Sequence, residues 1–142
     1  MSEFLLQPAT RKAVAPKVLL SGCAGSGKTL SALLLAAGMI DVRTDADWAD
    51  IVVADADNQS STYYVDTAFT VGDGINEPVE CVTIGRFTHI DFKSPYHPDR
   101  WIKLIGEVVE AKKRALILDN FSAEWEGDGG VLDWNRRLGG RA

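Results

Sequence analysis

The sequence predicts an α/β fold in which a mostly parallel sheet is flanked by helices, and two observations predict it. Three short apolar runs of the strand type, at residues 17–21, 51–54 and 115–118, each stop directly before a glycine or an aspartate. Segments whose apolar residues recur at helical spacing lie between them. This alternation is typical of βαβ units, whose crossovers cover both faces of a parallel sheet.

Residues 17–21 predict the first strand, because Pro16 before them suits the first residue of a strand. Beyond Lys28 the apolar residues follow the spacing of a helix, and no proline interrupts them before residue 40. These apolar residues are Leu30, Leu33, Leu34 and Ala37. Strand, glycine-rich loop and helix thus stand in the order that a phosphate-binding site requires.

The next segment, residues 41–50, is polar and acidic, and Trp48 is its one large apolar residue. We interpret it as a connection. The apolar run 51–54 then predicts the second strand of the parallel sheet. It leads into two aspartates, Asp55 and Asp57, which are therefore expected at the carboxyl edge of the sheet.

The middle of the chain is the least informative part of the sequence. Residues 58–78 favour no single fold, although the Val-Gly-Asp-Gly run at 71–74 indicates a turn. Residues 80–86 and 88–92 predict two strands, which could pair with each other around Gly85.

A one-sided helix is predicted from Pro98 onward, because proline fits the first turn of a helix. Its apolar residues follow the i, i+3, i+4, i+7, i+8 pattern and are Trp101, Leu104, Ile105, Val108 and Val109. The basic residues 112–114 come near its carboxyl end, where the helix dipole favours cations. Residues 115–118 then predict a buried strand that runs into Asp119.

Composition excludes several classes of protein. With 142 residues, 46% of them hydrophobic, one domain with a buried core is expected. The net charge of −5 argues against a protein that coats nucleic acid through a strongly basic surface. No apolar run approaches the roughly 18 to 20 residues of a membrane span, and residues 1–11 do not form a secretory signal. We expect a cytoplasmic protein without membrane contact, with an N-terminal extension over residues 1–16 and one domain over residues 17–142.

Residues 22–29, named here the phosphate loop, match the pattern G-x-x-x-x-G-K-[ST] in full. In such a loop the glycines let backbone N–H groups turn toward phosphate oxygens, and the following helix adds the positive end of its dipole. Lys28 is expected to reach the β- and γ-phosphates, and the Thr29 hydroxyl to ligate Mg²⁺. The pattern predicts a P-loop NTPase that binds ATP with Mg²⁺. The expected nucleotide-binding residues are Gly22, Cys23, Ala24, Gly25, Ser26, Gly27, Lys28, Thr29 and Leu30.

Hydrolysis of a nucleoside triphosphate also needs carboxylates. One acidic group at the end of a strand holds the Mg²⁺ shell, and a second polar group orients the attacking water. Asp119 is the candidate for Mg²⁺, together with Thr29. Asp57 is the candidate catalytic base, because Asp55 and Asp57 fall on a similar side and Asp57 stands farther beyond the strand.

Other reactive side chains are weaker candidates. Glu124 and Glu126 follow Asp119 and could also serve the attacking water. His89 and His97 have no partner pattern, so surface or structural roles are favoured. The two cysteines, Cys23 and Cys81, do not have a metal-binding spacing and are expected to be reduced thiols; Cys23 is interpreted as a small side chain that the phosphate loop tolerates.

Three segments together are similar to the RecA-like core of P-loop ATPases: the phosphate loop, Val-Val-Ala-Asp-Ala-Asp at 52–57, and Leu-Ile-Leu-Asp-Asn at 116–120. More specifically, Ser94-Pro95 and the run at 119–130 resemble the phage-encoded AAA-family ATPases related to RecA-like single-strand annealing recombinases. The distinctive part of this run is Glu-Trp-Glu-Gly-Asp-Gly-Gly at 124–130. The resemblance covers roughly residues 17–134, with a poor match between residues 63 and 92.

The resemblance implies that Asp57 stands at the position of the catalytic carboxylate. The family usually has glutamate there, which is one methylene longer, and usually has serine where this chain has Asn120. Members of the family continue through further strands beyond the point that corresponds to Ala142. We therefore expect a truncated or split chain, and an incomplete sheet favours a homo-oligomer or a recombination partner protein that covers its exposed edge.

The resemblance implies an ATPase that couples hydrolysis to the handling of single-stranded DNA in phage recombination or replication. The residues themselves support the ATPase part better, because the sequence shows no aromatic-rich basic groove of the kind that binds single strands. Two alternatives stay open. A small-molecule kinase would need an arginine-rich lid, which Arg136, Arg137 and Arg141 supply poorly; a regulatory nucleotide-binding module would show little turnover.

Overall fold

The computed structural model describes residues 15–57, 59–72, 75 and 80–139, without the side chains of residues 45, 46 and 71. The predicted extension 1–16 and Arg141 therefore lie largely or wholly outside the described residues. In chain order the elements are α1 (Lys28–Met39), α2 (Asp45–Trp48), β1 (Ile51–Asp55), a 3₁₀ helix (Ser60–Tyr64), β2 (Ala68–Val71), β3 (Glu80–Thr83), β4 (Thr88–Asp91), α3 (Pro98–Glu110), β5 (Ala115–Asp119), α4 (Ser122–Glu126) and α5 (Val131–Arg137).

A three-stranded parallel sheet organises these elements, in the order β4-β1-β5. The predicted α/β class, with helices flanking a parallel sheet, is confirmed. The register places Asp55 beside Asp91 on one side and beside Asp119 on the other. Each of the three strands therefore ends in an aspartate at the same edge of the sheet.

The two faces of β1 bury different residues, because successive side chains of a strand point to opposite faces. Ile51 and Val53 pack in one core, which α1 covers with Leu33 and Ala36. The opposite core is formed by Val52 and Ala54 of β1 with residues of α3 and its approach, Phe92, Trp101, Leu104 and Val108. All five residues of β1 are buried, as expected for the central strand of a sheet that is covered on both faces.

The predicted first strand, residues 17–21, is wrong. The chain is irregular there, and Val18, Leu19 and Leu20 are 56%, 85% and 39% exposed. Among the described residues, no strand of either sheet pairs with this segment. An apolar run forms a strand only where it can pair with a neighbouring strand and pack against a covering layer. Among the described residues, this segment does neither.

The helix predicted from Lys28 is confirmed as α1, with Leu33 fully buried. The connection predicted at 41–50 contains a short helix, α2, that was not anticipated. Its amino end is a capping box, in which the Asp47 carboxylate accepts hydrogen bonds from the N–H groups of Arg43 and Thr44, at 2.9 Å each. These two N–H groups hold the pKa of Asp47 below its ordinary value.

The predicted pairing of 80–86 with 88–92 is wrong. Strand β3 pairs antiparallel with β2, whereas β4 pairs parallel with β1, so the two segments belong to different sheets. Gly85 between them is not the turn of a hairpin. A Cβ built on Gly85 would lie 2.3 Å from Cδ1 of the buried Trp48, so glycine is needed there for close packing.

The stretch for which no fold was predicted contains the 3₁₀ helix and β2. The turn predicted at 71–74 falls partly outside the described residues. The predicted helix at Pro98 is confirmed as α3, but its buried side is narrower than predicted: Ile105 and Val109 are 42% and 68% exposed. The strand predicted at 115–118 is confirmed as β5.

Candidate functional site

The phosphate loop precedes α1 and depends on glycine at specific positions. Gly25 and Gly27 have φ values of 75° and 81°, in the left-handed region where only glycine is comfortable. Gly27 caps the amino end of α1. Gly22 is needed for a different reason, because a Cβ there would lie 2.7 Å from the Ser26 hydroxyl oxygen. The loop therefore turns tightly into the helix, as its pattern predicted.

Lys28 is the first residue of α1, and its side chain folds back over the loop. Its Nζ donates a hydrogen bond to the backbone carbonyl of Cys23, at 2.8 Å. The Ser26 N–H donates to the same carbonyl, at 3.3 Å. The lysine charge thus lies beside the Cys23 carbonyl, and Cys23 is an exposed free thiol.

The decisive contact of the site joins α1 to β5. The Thr29 hydroxyl donates a hydrogen bond to Asp119 Oδ2, with 2.5 Å between the two oxygens. Both side chains lie on the face of the sheet that α1 covers, because Asp119 continues the alternation of Ala115 and Ile117, which pack in the core of α1. The structure therefore brings together the hydroxyl and the carboxylate that the sequence assigned to Mg²⁺.

These two groups have the donor chemistry of a magnesium site. Mg²⁺ prefers oxygen ligands and keeps several waters, so proteins commonly hold it through one or two side-chain oxygens together with substrate phosphates. Within the described part of the chain, no cluster of three or more histidine, cysteine or acidic side chains is arranged for a metal ion. Thr29 and Asp119 are the residues that could hold Mg²⁺ together with a bound polyphosphate.

Asp57 lies at the same edge of the sheet, beyond the end of β1. The backbone continues the sheet for one residue, since the Ala56 N–H donates to the Asp119 carbonyl. Asp57 then begins a turn, in which its carbonyl accepts from the Ser60 N–H at 3.2 Å. The Asp57 side chain is exposed, and among the described residues its carboxylate takes part in no hydrogen bond or ion pair. Its assignment as catalytic base stays a prediction.

Asp55 has a different environment from Asp57, although the sequence grouped the two. It is fully buried. Its Oδ1 accepts from the Asp57 N–H at 2.8 Å, and its Oδ2 accepts from the N–H and hydroxyl of Ser61, at 2.8 and 2.6 Å. Sequence reasoning missed this network. Its signal was the Asp-x-Asp spacing, because aspartate often accepts from the backbone N–H two residues further on.

A small polar cavity of about 150 Å³ lies next to Asp55, at the ends of β1 and β4. One wall is an exposed chain of contacts: Asp91 Oδ2 lies 2.8 Å from Lys93 Nζ and accepts from Gln59 Nε2 at 3.0 Å. The hydrogen bond with Lys93 lowers the pKa of Asp91 and raises the pKa of the Lys93 ammonium. These contacts attach the turn after Asp57 to the end of β4.

The segment after Asp119 folds against the segment after β4. The Tyr96 N–H donates to the Asp128 carbonyl at 2.8 Å. Glycines permit this approach, since a Cβ on Gly127 would lie 2.5 Å from Tyr96 Cδ2 and one on Gly129 would lie 2.6 Å from Pro95 Cβ. The Ser94-Pro95 and Glu-Trp-Glu-Gly segments, which the sequence singled out separately, thus lie in direct contact.

The other titratable candidates are distributed around this site. The Nδ1 of His97 accepts from the Asp99 N–H at 3.2 Å and so caps α3, while its ring packs edge-on against Trp134. His89 Nε2 lies 3.8 Å from the buried Asp55 carboxylate. Glu124 and Glu126 belong to α4. His97 therefore has the structural role that the sequence favoured, whereas His89 Nε2 is buried and makes no hydrogen bond among the described residues.

Comparison of the chain with protein-family models, with curated proteins and with solved structures gives no match. Among the residues that the structure describes, no helix has both the length and the apolar character to cross a membrane.

Proposed function

We propose that this chain is a magnesium-dependent ATPase that uses the phosphate loop, Thr29, Asp119 and Asp57. The observation that carries the proposal is the 2.5 Å contact between the Thr29 hydroxyl and Asp119 Oδ2. Two residues ninety positions apart, each assigned to the metal shell for its own reason, meet at the start of the helix that follows a complete phosphate-loop pattern.

Each part of the site has a chemical task in the proposed reaction. The N–H groups of the loop and the Lys28 ammonium bind the β- and γ-phosphates. Thr29 and Asp119 hold Mg²⁺, which supplies charge neutralisation at the phosphate oxygens. Asp57 accepts a proton from water as the water oxygen bonds to the γ-phosphorus and the bond to the β–γ bridging oxygen breaks. The products are ADP and inorganic phosphate.

We propose single-stranded DNA as the polymer on which this ATPase acts, in phage recombination or replication. The support is the resemblance of residues 17–134 to the phage ATPases related to annealing recombinases. In this chain the two segments that carry the specific part of the resemblance contact each other through the Tyr96–Asp128 hydrogen bond. ATP hydrolysis by the full chain should therefore rise when single-stranded DNA is added.

Three measurements on the full chain separate this proposal from its alternatives. Release of inorganic phosphate from ATP is measured with and without Mg²⁺ and with and without single-stranded DNA, and transfer of phosphate to small acceptors and the affinity for ATP are measured alongside it. Stimulation by the DNA supports the proposal. Phosphate transfer to a small acceptor indicates a kinase instead, and tight ATP binding without release of phosphate indicates a regulatory nucleotide-binding module.

A further inference from the structure

We infer that Asp55 is a positioning residue for hydrolysis: together with Ser61 it orients the turn that presents Asp57 to the attacking water. The inference rests on the proposed function and extends it to two residues that the reaction itself does not use. It is carried by the contacts of the buried Asp55 carboxylate, which bind the backbone on both sides of the turn.

The first step of the argument is burial. Asp55 and Ser61 are both 0% exposed. A buried carboxylate is costly unless hydrogen bonds replace its hydration, and here three bonds of 2.6–2.8 Å do so. All three come from a single short segment that starts at Asp57 and ends at Ser61. The carboxylate therefore fixes the backbone of this segment, and His89 Nε2 lies 3.8 Å from it on another side.

The second step is the direction of the bonds. Oδ1 accepts from the Asp57 N–H, and Oδ2 accepts from the Ser61 N–H and hydroxyl. One carboxylate thus fixes the backbone at the start of the turn and again in the 3₁₀ helix that follows it. Gln59 between these points has a left-handed φ of 63°, and its side chain is tied to Asp91. The backbone is therefore held at Asp57 and at Ser61, and the side chain of Gln59 is held by Asp91.

The third step is the position of Asp55 in the sheet. Asp55 is the register partner of Asp119, whose carboxylate contacts Thr29. The backbone of Asp57 is therefore held by β1, and β1 pairs with β5, the strand that carries Asp119. A water-orienting carboxylate must be held within a fraction of an ångström, because a misplacement of about 1 Å can reduce a rate by about a hundredfold.

The alternative is that the network only stabilises the fold. The two roles predict different results for Ser61→Ala, which removes one of the three bonds and leaves the backbone contacts. If Ser61 positions Asp57, kcat falls about tenfold while the dissociation constant for ATP changes less than about twofold. If the network is only structural, thermal stability falls and kcat of the folded protein does not.

The experiment measures kcat, ATP affinity and melting temperature for the unmodified chain and four variants. Ser61→Ala is the test. Thr62→Val is the matched control, because the Thr62 hydroxyl on the same 3₁₀ helix donates to the Gln59 carbonyl and not to Asp55. Ile51→Val is the stability control, because it removes one buried methylene group from β1 at a position away from the turn.

A fall in kcat that is confined to Ser61→Ala supports the inference, and Asp55→Asn should then give a larger fall together with faster hydrogen exchange of the Asp57 N–H. An unchanged kcat in Ser61→Ala, or an equal fall in Ile51→Val, overturns it while leaving the ATPase proposal intact. If the unmodified chain binds ATP but never releases phosphate, the hydrolytic function fails and the positioning role fails with it. Should Asp55→Asn not fold, Ser61→Ala alone decides.

Discussion

Thr29 and Asp119 are ninety residues apart in sequence, and their side-chain oxygens are 2.5 Å apart in the structure. This contact joins the first turn of α1 to the carboxyl end of β5. A hydroxyl and a carboxylate are oxygen groups of the kind that bind a hard cation, and here they come from different elements. The strongest expectations for this protein depend on that pair.

Replacing either member of the pair should weaken the magnesium-dependent part of ATP binding. Thr29→Val removes the hydroxyl at nearly constant volume, and Asp119→Asn removes the charge. We expect the affinity for ATP in the presence of Mg²⁺ to fall by about ten- to hundredfold, as losses around metal sites commonly do. Titration with a fluorescent ATP analogue, with Mg²⁺ and with a chelator, measures it. Thr29→Ser keeps the hydroxyl and should retain most of the affinity; an equal loss in this variant would contradict the assignment.

Lys28→Ala should abolish tight ATP binding or turnover. A hydrogen bond between charged groups is stronger than a neutral one, so its loss corresponds to about ten- to hundredfold in the dissociation constant. Lys103→Ala serves as the control, since Lys103 is an exposed lysine on α3 that pairs with Glu107. Calorimetric titration with ATP and Mg²⁺ measures the affinity of both variants. Equal affinities would contradict the assignment of the phosphate loop as the ATP-binding site.

Asp57→Asn should spare ATP binding and remove hydrolysis, because an amide cannot accept the proton of the attacking water. The matched control is Asp66→Asn, which neutralises an exposed aspartate that pairs with Arg86 in another part of the chain. Single-turnover phosphate release separates chemistry from binding. Survival of hydrolysis in Asp57→Asn would mean that the base lies elsewhere, and Glu124 and Glu126 would then be tested in the same way.

Gly85→Ala should destabilise the fold, because the new methyl group would meet the ring of the buried Trp48. Overpacking of this kind costs about 1–3 kcal/mol. Gly106→Ala is the opposite case: nothing lies within 4 Å of its Cβ position in α3, and alanine is favoured over glycine within a helix by about 0.5–1 kcal/mol. The urea concentration at the midpoint of unfolding should therefore fall for Gly85→Ala and rise for Gly106→Ala.

Asp47 should make stability depend on pH in the acid range. Hydrogen bonds from the Arg43 and Thr44 N–H groups lower its pKa in the folded protein. The ionised Asp47 therefore contributes to the free energy of unfolding above the ordinary aspartate pKa of about 4. This contribution is lost as the pH falls through the lower pKa that Asp47 has in the folded protein. Asp47→Asn should be less stable than the unmodified chain at pH 7, and the difference should shrink below about pH 4. Asp128→Asn, which removes the same charge outside a capping box, should show a smaller change.

Sequence reasoning identified the elements that are determined locally. The apolar runs that became β1 and β5, and the spacing that became α1 and α3, each carry their own signal within a few residues. The same holds for the phosphate loop, where Gly25 and Gly27 have left-handed φ values. The contact of Thr29 with Asp119 was predictable because each residue type has a defined task in phosphoryl transfer.

Features that depend on distant partners were not predictable. Residues 17–21 are as apolar as a strand, yet Leu19 is 85% exposed, because pairing is decided by the rest of the sheet. The partner of β3 could not be chosen from residues 80–86 alone. Asp55 and Asp57 look equivalent in sequence, and only the position of Ser61 in space makes one a buried anchor and leaves the other exposed.

The contact of Gly127 and Gly129 with Pro95 and Tyr96 joins the connections that follow β4 and β5. Close packing of backbone against side chain, without intervening flexible groups, leaves little room for one connection to slide past the other. The two connections should therefore move as one rigid body. Because Trp134 of α5 contacts His97, a displacement of α5 should shift the carboxyl ends of both β4 and β5 together.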